Sequence, residues 1–571
     1  MQVADKVTEA EEEGTEMKNN FKTGNMKKLL LASLLLLSIQ GFSQKGKPNI
    51  ILIMADDLGY SDIGAYGSEI NTPNLDKLAK EGLRLKEFYN NSICAPTRAS
   101  LLTGQYQHKA GVGYFSQDLG LPAYQGFINK ESLTLAEVLK SAGYSTLMSG
   151  KWHVSGKDQS YPWQRGFDRS LLSENGSYFD QGDYDGGAKR PYFLDGKPYP
   201  LEAGKYYQTD VITENAVKFL DEEGKKEKPF FLYLTYTAPH WPLHALPEDI
   251  AKYKGKYDKG WDALRQERYE KQKKLGVVDE KAGISNKDQD IYDWSKLSYD
   301  QRQQWAAKME VFAAMVDRMD QGIGKVLGEL KKIGKDDNTL VVFISDNGAP
   351  AEEMIKWHNG ATRNTGPVGT IGSYESQSKN WSYASNTPLN GFKDYLFEGG
   401  ISSPFIAWYP AKIKAGTIAK GTGHLIDIAP TFYELAGAKY PAKLNGVTAN
   451  ALPGKSLVPV LIGKEKEVNR GEPLFWERAG NRAVREGKWK LVSHWPSYSW
   501  ELYNLEEDKG ETKNVAQQNH EVVSRLSVKY FEWAKKTGVV DFATLEDKET
   551  QTMKDYRKSK VQDVVTGGYP F

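Results

Sequence analysis

The chain has 571 residues, which exceeds the usual size of a single hydrophobic core and predicts one large domain with a smaller one. Its 75 basic and 74 acidic residues give a formal net charge of +1, so it lacks the basic excess that is typical of nucleic-acid-binding proteins. A balanced charge also gives no general attraction to anionic membranes, and any anion-binding site must therefore be local.

A segment near the N-terminus has the pattern of a secretory signal. Two lysines, Lys27 and Lys28, precede an apolar run over residues 29–39, and small or polar residues follow at 41–44. This order is typical of a cleavable signal peptide, and the run is too short to span a bilayer. We interpret residues 1–44 as a leader and signal, with 26–44 as the signal proper, and expect a secreted or periplasmic protein. A buried core helix is the alternative interpretation of the run.

The mature sequence alternates between apolar strands and amphipathic helices. Residues 48–54 form an apolar, β-rich run that is typical of a strand buried on both faces, and similar runs follow at 143–149, 230–236 and 340–344. Helical spacing separates them, in residues 133–139 and 305–330. This alternation predicts an α/β fold over residues 45–470, with a large doubly wound mixed sheet sandwiched by helices.

The pattern of predicted elements changes at about residue 471. Short strand-like runs separated by turns occupy residues 473–505, and a helical pattern follows at 521–536. We therefore expect a smaller C-terminal subdomain, residues 471–571, built from an antiparallel sheet packed with a helix. The highly charged stretch at 248–304 is predicted to be a surface excursion containing helices.

Acidic and amide residues follow two of the predicted buried strands directly. Asp56 and Asp57 end the first, and Asp346 and Asn347 end the fourth. Ligands in open α/β sheets bind beyond the carboxyl ends of the strands. If the two strands are neighbours, the clustered oxygen ligands predict a hard cation, Ca²⁺ or Mg²⁺. Helix caps or turns are the alternative explanation for either pair alone.

The chain has one cysteine, Cys94, so an internal disulfide framework is excluded. Residues 92–104 read Ser-Ile-Cys-Ala-Pro-Thr-Arg-Ala-Ser-Leu-Leu-Thr-Gly. Pro96 suits the first turn of a helix, which would place Cys94 at or just before the positive end of a helix dipole. A lone cysteine is otherwise most often a small buried hydrophobe.

The run from Cys94 to Gly104 resembles the signature of type I sulfatases, of the alkaline-phosphatase superfamily, and the resemblance extends from Asn49 to about Ala516. It implies that Cys94 is oxidised by a formylglycine-generating maturase, and that the hydrated aldehyde is the nucleophile. One hydroxyl of this geminal diol would attack sulfur and displace the alcohol. The other would lose its proton as the carbon–oxygen bond to sulfate breaks, which regenerates the aldehyde.

The resemblance also implies a role for each matching residue. One Ca²⁺ ion per chain would be bound by a set of five residues: Asp56, Asp57, Asp346, Asn347 and the oxidised Cys94. Arg98 would steady the diol and the metal, and His153 would hold the second hydroxyl and take its proton. Sulfate and its ester oxygen would be bound by Lys151, His240 and Lys393, with Lys393 helping to protonate the leaving group. The carboxylates of this set are those of Asp56, Asp57 and Asp346. Their charges, added to those of a divalent ion and of the cations Arg98, Lys151 and Lys393, leave a local positive field that suits a sulfate ester.

These observations predict a sulfuric ester hydrolase of the arylsulfatase type, whose substrate is a sulfated small molecule or glycan. Tryptophans that could stack on a sugar ring are Trp152, Trp163, Trp241, Trp357 and Trp381, and His108 and His244 are candidates for the pocket lining. A phosphonate or phosphodiester hydrolase of the same superfamily is the first alternative. A non-catalytic glycan-binding relative is the second, although it should have lost one of the site residues. No nucleic-acid partner and no membrane span are expected.

Overall fold

The computed structural model describes residues 46–155, 160–174, 176–180, 191–353, 355 and 363–548. The described residues from Lys47 onward form one compact unit. The predicted signal at 26–44 lies outside the described residues, as does Trp357. In the part of the chain that the structure describes, no helix is long and apolar enough to cross a membrane.

The strands of the described residues belong to three sheets. In chain order they are β1 Asn49–Ala55, β2 Leu83–Tyr89, β3 Ser145–Lys151, β4 Arg169–Ser173, β5 Tyr192–Leu194, β6 Lys197–Tyr199, β7 Phe230–Thr235, β8 Thr339–Ser345, β9 Phe405–Trp408, β10 Thr417–His424, β11 Lys443–Leu444, β12 Val447–Thr448, β13 Glu467–Val468, β14 Leu474–Arg478, β15 Asn481–Glu486, β16 Trp489–Ser493 and β17 Trp500–Asn504.

The α-helices alternate with these strands. In chain order they are α1 Pro73–Glu81, α2 Cys94–Thr103, α3 Gln107–Ala110, α4 Leu135–Ser141, α5 Gln208–Glu223, α6 Pro247–Ala251, α7 Gly260–Lys274, α8 Tyr299–Lys332, α9 Ser378–Ser385, α10 Glu398–Ile401, α11 Ile428–Ala436, α12 Val458–Leu461, α13 His520–Thr537 and α14 Phe542–Glu546.

The main sheet has eleven strands in the order β13-β10-β2-β9-β8-β1-β7-β3-β4-β5-β6. Its centre is parallel, because β1 pairs in parallel with both β7 and β8, and β3 pairs in parallel with β7 and β4. The pairs of β9 with β2 and β8, and of β5 with β4 and β6, are antiparallel. The predicted doubly wound mixed sheet is thus confirmed.

Two apolar cores cover the two faces of this sheet. Along β1, alternate residues enter opposite cores, because successive side chains of a strand point to opposite faces: Ile50, Leu52 and Met54 lie in one, and Ile51 and Ile53 in the other. The second core includes α8, whose N-terminus is fixed by a capping box between Ser298 and Gln301. Helices therefore bury both faces of β1, as its continuous apolar sequence predicts.

The C-terminal residues form the predicted smaller antiparallel sheet, with strand order β14-β15-β16-β17. Its apolar face and helix α13 belong to the same core as one face of the main sheet. The stretch at 248–304 contains the predicted helices, α6 and α7. The boundary at residue 471 stays a prediction, because the described residues from Lys47 onward form one compact unit.

Candidate active site

Four neighbouring strands of the main sheet, in the order β8-β1-β7-β3, end at one place. Ala55, the last residue of β1, pairs with Ser345, the last residue of β8. On the other side, Met54 of β1 pairs with Thr235 of β7, which in turn pairs with Gly150 of β3. Since these strands are parallel, the residues that follow them meet at one edge. The predicted convergence of the two acidic pairs is therefore confirmed.

The acidic pairs are joined to each other by hydrogen bonds. The backbone N–H of Asp57 donates to Asp346 Oδ1 over 3.1 Å, and Asn347 Nδ2 donates to Asp57 Oδ1 over 2.6 Å. Asp56, Asp57, Asp346 and Asn347 all have exposed fractions of 0%. Such a cluster of buried carboxylates is costly unless cations compensate it.

Three buried cations meet these carboxylates. Lys151 Nζ donates to Asp56 Oδ2 over 2.5 Å, Arg98 Nη2 donates to Asp346 Oδ2 over 3.0 Å, and Lys393 Nζ donates to Asp57 Oδ2 over 2.9 Å. Arg98 is held further by hydrogen bonds to the carbonyl of Lys151 and to Thr235 Oγ1. The structure thus brings together seven of the residues that the sequence assigned to the site.

The carboxylates retain the capacity to bind a further cation. Asp56 Oδ1 and Asn347 Oδ1 are buried and accept no hydrogen bond from any described residue, so each has a lone pair available to a ligand. Burial and the neighbouring Asp56 carboxylate raise the pKa of Asp346. A divalent cation would relieve this repulsion, and the all-oxygen set fits Ca²⁺ or Mg²⁺.

Cys94 is the first residue of α2, as the sequence predicts. Its side chain is buried, and the charges that act on it are those of Lys151, Lys393, Asp56 and Asp346. Burial raises the pKa of the Cys94 thiol to about 12, although the two lysines act in the opposite direction. The thiol is therefore protonated at neutral pH and is a poor nucleophile.

His240 follows β7 and faces the same carboxylates. Its Nε2 lies 3.5 Å from Asp57 Oδ2, while Nδ1 contacts the carbonyl oxygen of Trp241. Burial lowers the pKa of His240 against the opposing effect of Asp57. Ligand atoms of Asp56, Asp57 and His240 lie within 4.8 Å of one another, so His240 is close enough to join a metal site. A hard cation, however, prefers the oxygen ligands beside it.

Close backbone packing and positive φ angles shape the loops of the site. At Gly150, where φ is +122°, a Cβ would lie 1.8 Å from the carbonyl oxygen of Thr235, so only glycine allows β3 to approach β7 just before Lys151. Asp57, His153 and Asp394 adopt φ angles of 64°, 59° and 75°, which are uncommon for residues other than glycine and concentrate at functional sites.

His153 lies two residues beyond Lys151, at the end of β3, and is half-buried. Its backbone N–H donates to Glu174 Oε1 over 3.3 Å, and its ring meets that of Phe115 edge-on at 5.1 Å between centroids. The structure therefore places His153 beside the site, on the strand end that carries Lys151. Its predicted contact with the oxidised Cys94 stays a prediction.

Glu352 is a residue that sequence reasoning missed. Its carboxylate accepts hydrogen bonds from Lys393 Nζ at 3.3 Å and from Trp241 Nε1 at 2.9 Å, and only 7% of its side chain is exposed. It adds one negative charge to the cluster. In the sequence, Glu352 is marked only by its position six residues after Asp346, on the loop that leaves β8. This position does not distinguish Glu352 from its neighbour Glu353.

Several predicted pocket residues belong to the core instead. Trp152 and Trp381 have exposed fractions of 0%, so neither can stack on a substrate. Trp163 packs on Gly196, in a turn beside the amino end of β4. The site lies at the opposite, carboxyl ends of the strands. Of these tryptophans, the one whose described contacts reach the site is Trp241.

The two histidines proposed as pocket lining are also structural. His108 is buried and contacts Glu477 at 2.8 Å. His244 is buried and contacts the carbonyl oxygen of Ser373 at 2.8 Å. Neither is available to a substrate.

Comparison with known proteins identifies similar chains. The family described as Sulfatase matches residues 48–438, and the family described as N-sulphoglucosamine sulphohydrolase, C-terminal, matches residues 391–536. An uncharacterized sulfatase of Schizosaccharomyces pombe is 35% identical over 539 residues, covering 87% of this chain and 95% of that protein. An arylsulfatase of Klebsiella aerogenes is 35% identical over 413 residues, covering 69% and 88%.

A solved structure is similar over nearly the whole length. The crystal structure of Ps i-CgsB in complex with k-i-k-neocarrahexaose superposes with a TM-score of 0.65 at 28% sequence identity, covering 90% of this chain and 97% of that chain. The likeness therefore covers most of both chains.

Proposed function

We propose a mechanism from the premise that the chain belongs to the sulfatase family and is a sulfate-ester hydrolase. In this proposal its nucleophile is a formylglycine derived from Cys94, and the chain binds one Ca²⁺ ion. We further propose that its natural substrate is a sulfated carbohydrate, and that it also hydrolyses aryl sulfates.

The observation that carries this proposal is the position and chemistry of Cys94. It begins helix α2 among the charges of Lys151, Lys393, Asp56 and Asp346, where an anionic ester would be bound. Its thiol is protonated at neutral pH, because burial raises its pKa to about 12. Since the thiolate is the nucleophilic form of cysteine, the unmodified thiol is a weak nucleophile at this position, and the oxidation that we propose would replace it with a hydroxyl nucleophile.

The proposed formylglycine and calcium ion would each have a simple role. Hydrated formylglycine at position 94 would supply a geminal diol, with one hydroxyl to attack sulfur and a second to lose its proton when the sulfate leaves. Ca²⁺, held by Asp56, Asp57, Asp346 and Asn347, would supply a fixed positive charge for the oxygens of the sulfate and of residue 94.

The remaining residues bind the sulfate and move protons. Lys151 and Lys393 place two ammonium groups against the carboxylate cluster, where they would stabilise the negative charge that develops on the ester. Nδ1 of His240 faces a carbonyl oxygen, which can only accept, so this nitrogen carries a proton. Nε2 would therefore donate to the ester oxygen in the imidazolium form, which the neighbouring Asp57 favours against the effect of burial, and Lys393 would deliver a proton to the departing alcohol. Arg98, fixed by Asp346 and Thr235, would hold the metal ligands and the diol in place.

The proposed substrate class rests on similarity to known proteins and on the predicted secretion. Ps i-CgsB was solved with the ligand k-i-k-neocarrahexaose, and the relative from Klebsiella aerogenes is named an arylsulfatase. We also propose that residues 26–44 are a secretory signal, and a secreted enzyme would meet sulfated glycans. Residues 471–571 are proposed to form a subdomain. A formylglycine-generating maturase is the partner that this function requires during biosynthesis.

Sulfate release across a panel of sulfated monosaccharides tests this function. The protein should be produced with a maturase, and mass spectrometry of the Cys94 peptide should show the mass of formylglycine. We expect release from at least one sugar sulfate and from 4-nitrophenyl sulfate. A phosphodiester and a phosphonate monoester belong in the same panel, and faster turnover of either than of every sulfate ester would contradict the proposal.

A further inference from the structure

Glu352 is a buried acid beside two parts of the site that face the leaving group in the proposed function. It binds Lys393, which would protonate the leaving oxygen, and Trp241, the residue that follows His240. Its carboxylate thus links the loop after β7 to the loop that carries Lys393. Because Asp57 binds the same ammonium group of Lys393 at 2.9 Å, Lys393 is held between two carboxylates.

The negative charge of Glu352 lies where little solvent can screen it. The side chain is only 7% exposed, and Trp241 is 7% exposed, so little water screens the carboxylate. Charges in such a place interact several times more strongly than at a fully solvated surface. A second anionic group on a bound leaving group would therefore meet a negative charge that cannot move away.

The same carboxylate suits an uncharged sugar. Sugar hydroxyls can donate hydrogen bonds to a carboxylate, and the buried indole of Trp241 holds this carboxylate in place through its Nε1–H donor. A carboxylate or second sulfate on the sugar would instead be repelled.

We propose that Glu352 is a specificity-determining residue, which selects leaving groups without a second negative charge and thereby makes singly sulfated, otherwise neutral sugars the substrate class. This inference rests on the proposed sulfatase function and deepens it. Glu352 also positions Lys393 and Trp241. This second effect requires an oxygen acceptor, which a carboxylate or an amide at position 352 supplies, and does not require a negative charge.

Matched substrates isolate the charge. We would compare 3-carboxyphenyl sulfate with 3-carbamoylphenyl sulfate, which have nearly the same size and differ by one negative charge. With matured enzyme, kcat/KM should be higher for the carbamoyl ester by roughly 10- to 100-fold. In Glu352→Gln the preference should fall to within about 3-fold, because the charge is lost. Glu353→Gln, a change at the exposed neighbouring residue, should keep the wild-type preference.

A third variant separates positioning from charge. Glu352→Ala should lower kcat on the carbamoyl ester more than Glu352→Gln does, since an amide oxygen still accepts the Trp241 hydrogen bond. An unchanged preference in Glu352→Gln would overturn the proposal, as would a wild-type enzyme that treats the two esters alike.

The inference can fail separately from the proposed function. If matured wild-type enzyme hydrolyses no sulfate ester, the proposed function is wrong. The preference can then be measured as the ratio of dissociation constants of the two esters by calorimetry, in Cys94→Ala protein with and without Glu352→Gln. If Glu352→Gln leaves this ratio unchanged, the proposed role of Glu352 is overturned. If the two dissociation constants become equal in Glu352→Gln, the proposed role is supported.

Discussion

Arg478, the last residue of β14 in the C-terminal sheet, donates a hydrogen bond of 2.8 Å from Nε to Asp394 Oδ1. Asp394 is the residue after Lys393 and has a positive φ of 75°. The guanidinium also donates to the carbonyl of Tyr114 and lies 4.7 Å from the centroid of its ring. The C-terminal sheet therefore holds the backbone turn that presents Lys393 to the carboxylate cluster.

We expect Arg478→Met to lower kcat by roughly 10-fold or more with a smaller change in KM, because a displaced Lys393 stabilises the transition state less well. The loss should be larger for sugar sulfates than for aryl sulfates with good leaving groups. Steady-state kinetics on both kinds of ester check this. Arg478→Lys should recover part of the rate, and Arg525→Met, at an exposed position of α13, should have no effect. A loss in kcat that does not depend on the leaving group would leave Arg478 a purely structural role.

Cys94→Ala should abolish sulfate release, with a fall in kcat of at least about 1,000-fold, because the nucleophile is removed. Circular dichroism should show an unchanged fold, since the substitution removes one small buried atom group. Turnover close to that of wild type in this variant would contradict the assignment of the nucleophile. Protein made without a maturase should be similarly inactive, although it carries the intact thiol.

His240→Ala should slow hydrolysis of alkyl and sugar sulfates by roughly 100-fold or more, and should slow esters with good leaving groups less. The reason is that an alcohol of high pKa needs a hydrogen-bond donor as it departs, whereas a nitrophenolate does not. A series of aryl sulfates with graded leaving-group pKa values measures this dependence. His520→Ala, at the exposed first residue of α13, serves as the control. Equal losses across the series would count against a role for His240 in leaving-group departure.

Removal of divalent cations should inactivate the enzyme and lower its thermal stability, and Ca²⁺ should restore both. A cation bound only by the folded state stabilises it by about 2.7 kcal/mol at a concentration 100 times its dissociation constant. Differential scanning calorimetry with and without a chelator gives the shift directly. Asn347→Ala, which removes a buried oxygen that accepts no hydrogen bond from the described residues, should reduce the calcium-dependent shift. Rescue by Zn²⁺ alone would instead favour a site that includes His240.

Lys490→Met should reduce the free energy of unfolding by about 3–5 kcal/mol. Lys490 is fully buried and lies 3.0 Å from Glu398 and 2.8 Å from Glu511, so the substitution removes the cation that the two carboxylates share, although Glu398 keeps its ion pair with Lys509. Urea denaturation measures the change. Lys488→Met, at an exposed position of the same hairpin, should alter stability by less than about 0.5 kcal/mol. Equal effects of the two substitutions would show that the buried ion pairs contribute nothing.

Local patterns in the sequence predict the frame of this protein. Continuous apolar runs identify β1 and β8 because strands buried on both faces have no polar side, and Pro96 predicts the helix that Cys94 begins. The acidic and amide residues of the cluster are predicted by their positions directly after two buried strands, whereas the roles of Arg98, Lys151, His240 and Lys393 follow from the resemblance to type I sulfatases. The sequence of the N-terminal segment predicts a secretory signal, which lies outside the described residues.

Only the tertiary structure decided which distant residues share an environment. The sheet order places the ends of β8, β1, β7 and β3 side by side, and no local pattern in the chain specifies that order. Trp152 and Trp381 turn into the core, although their sequence context does not distinguish them from pocket residues, because burial depends on what packs against a side chain. Glu352 and Arg478 owe their contacts with the Lys393 segment to packing between parts of the chain that are 41 and 84 residues apart. A sequence fixes the chemistry that each position can contribute, whereas the packed fold determines which charges lie within reach of one another.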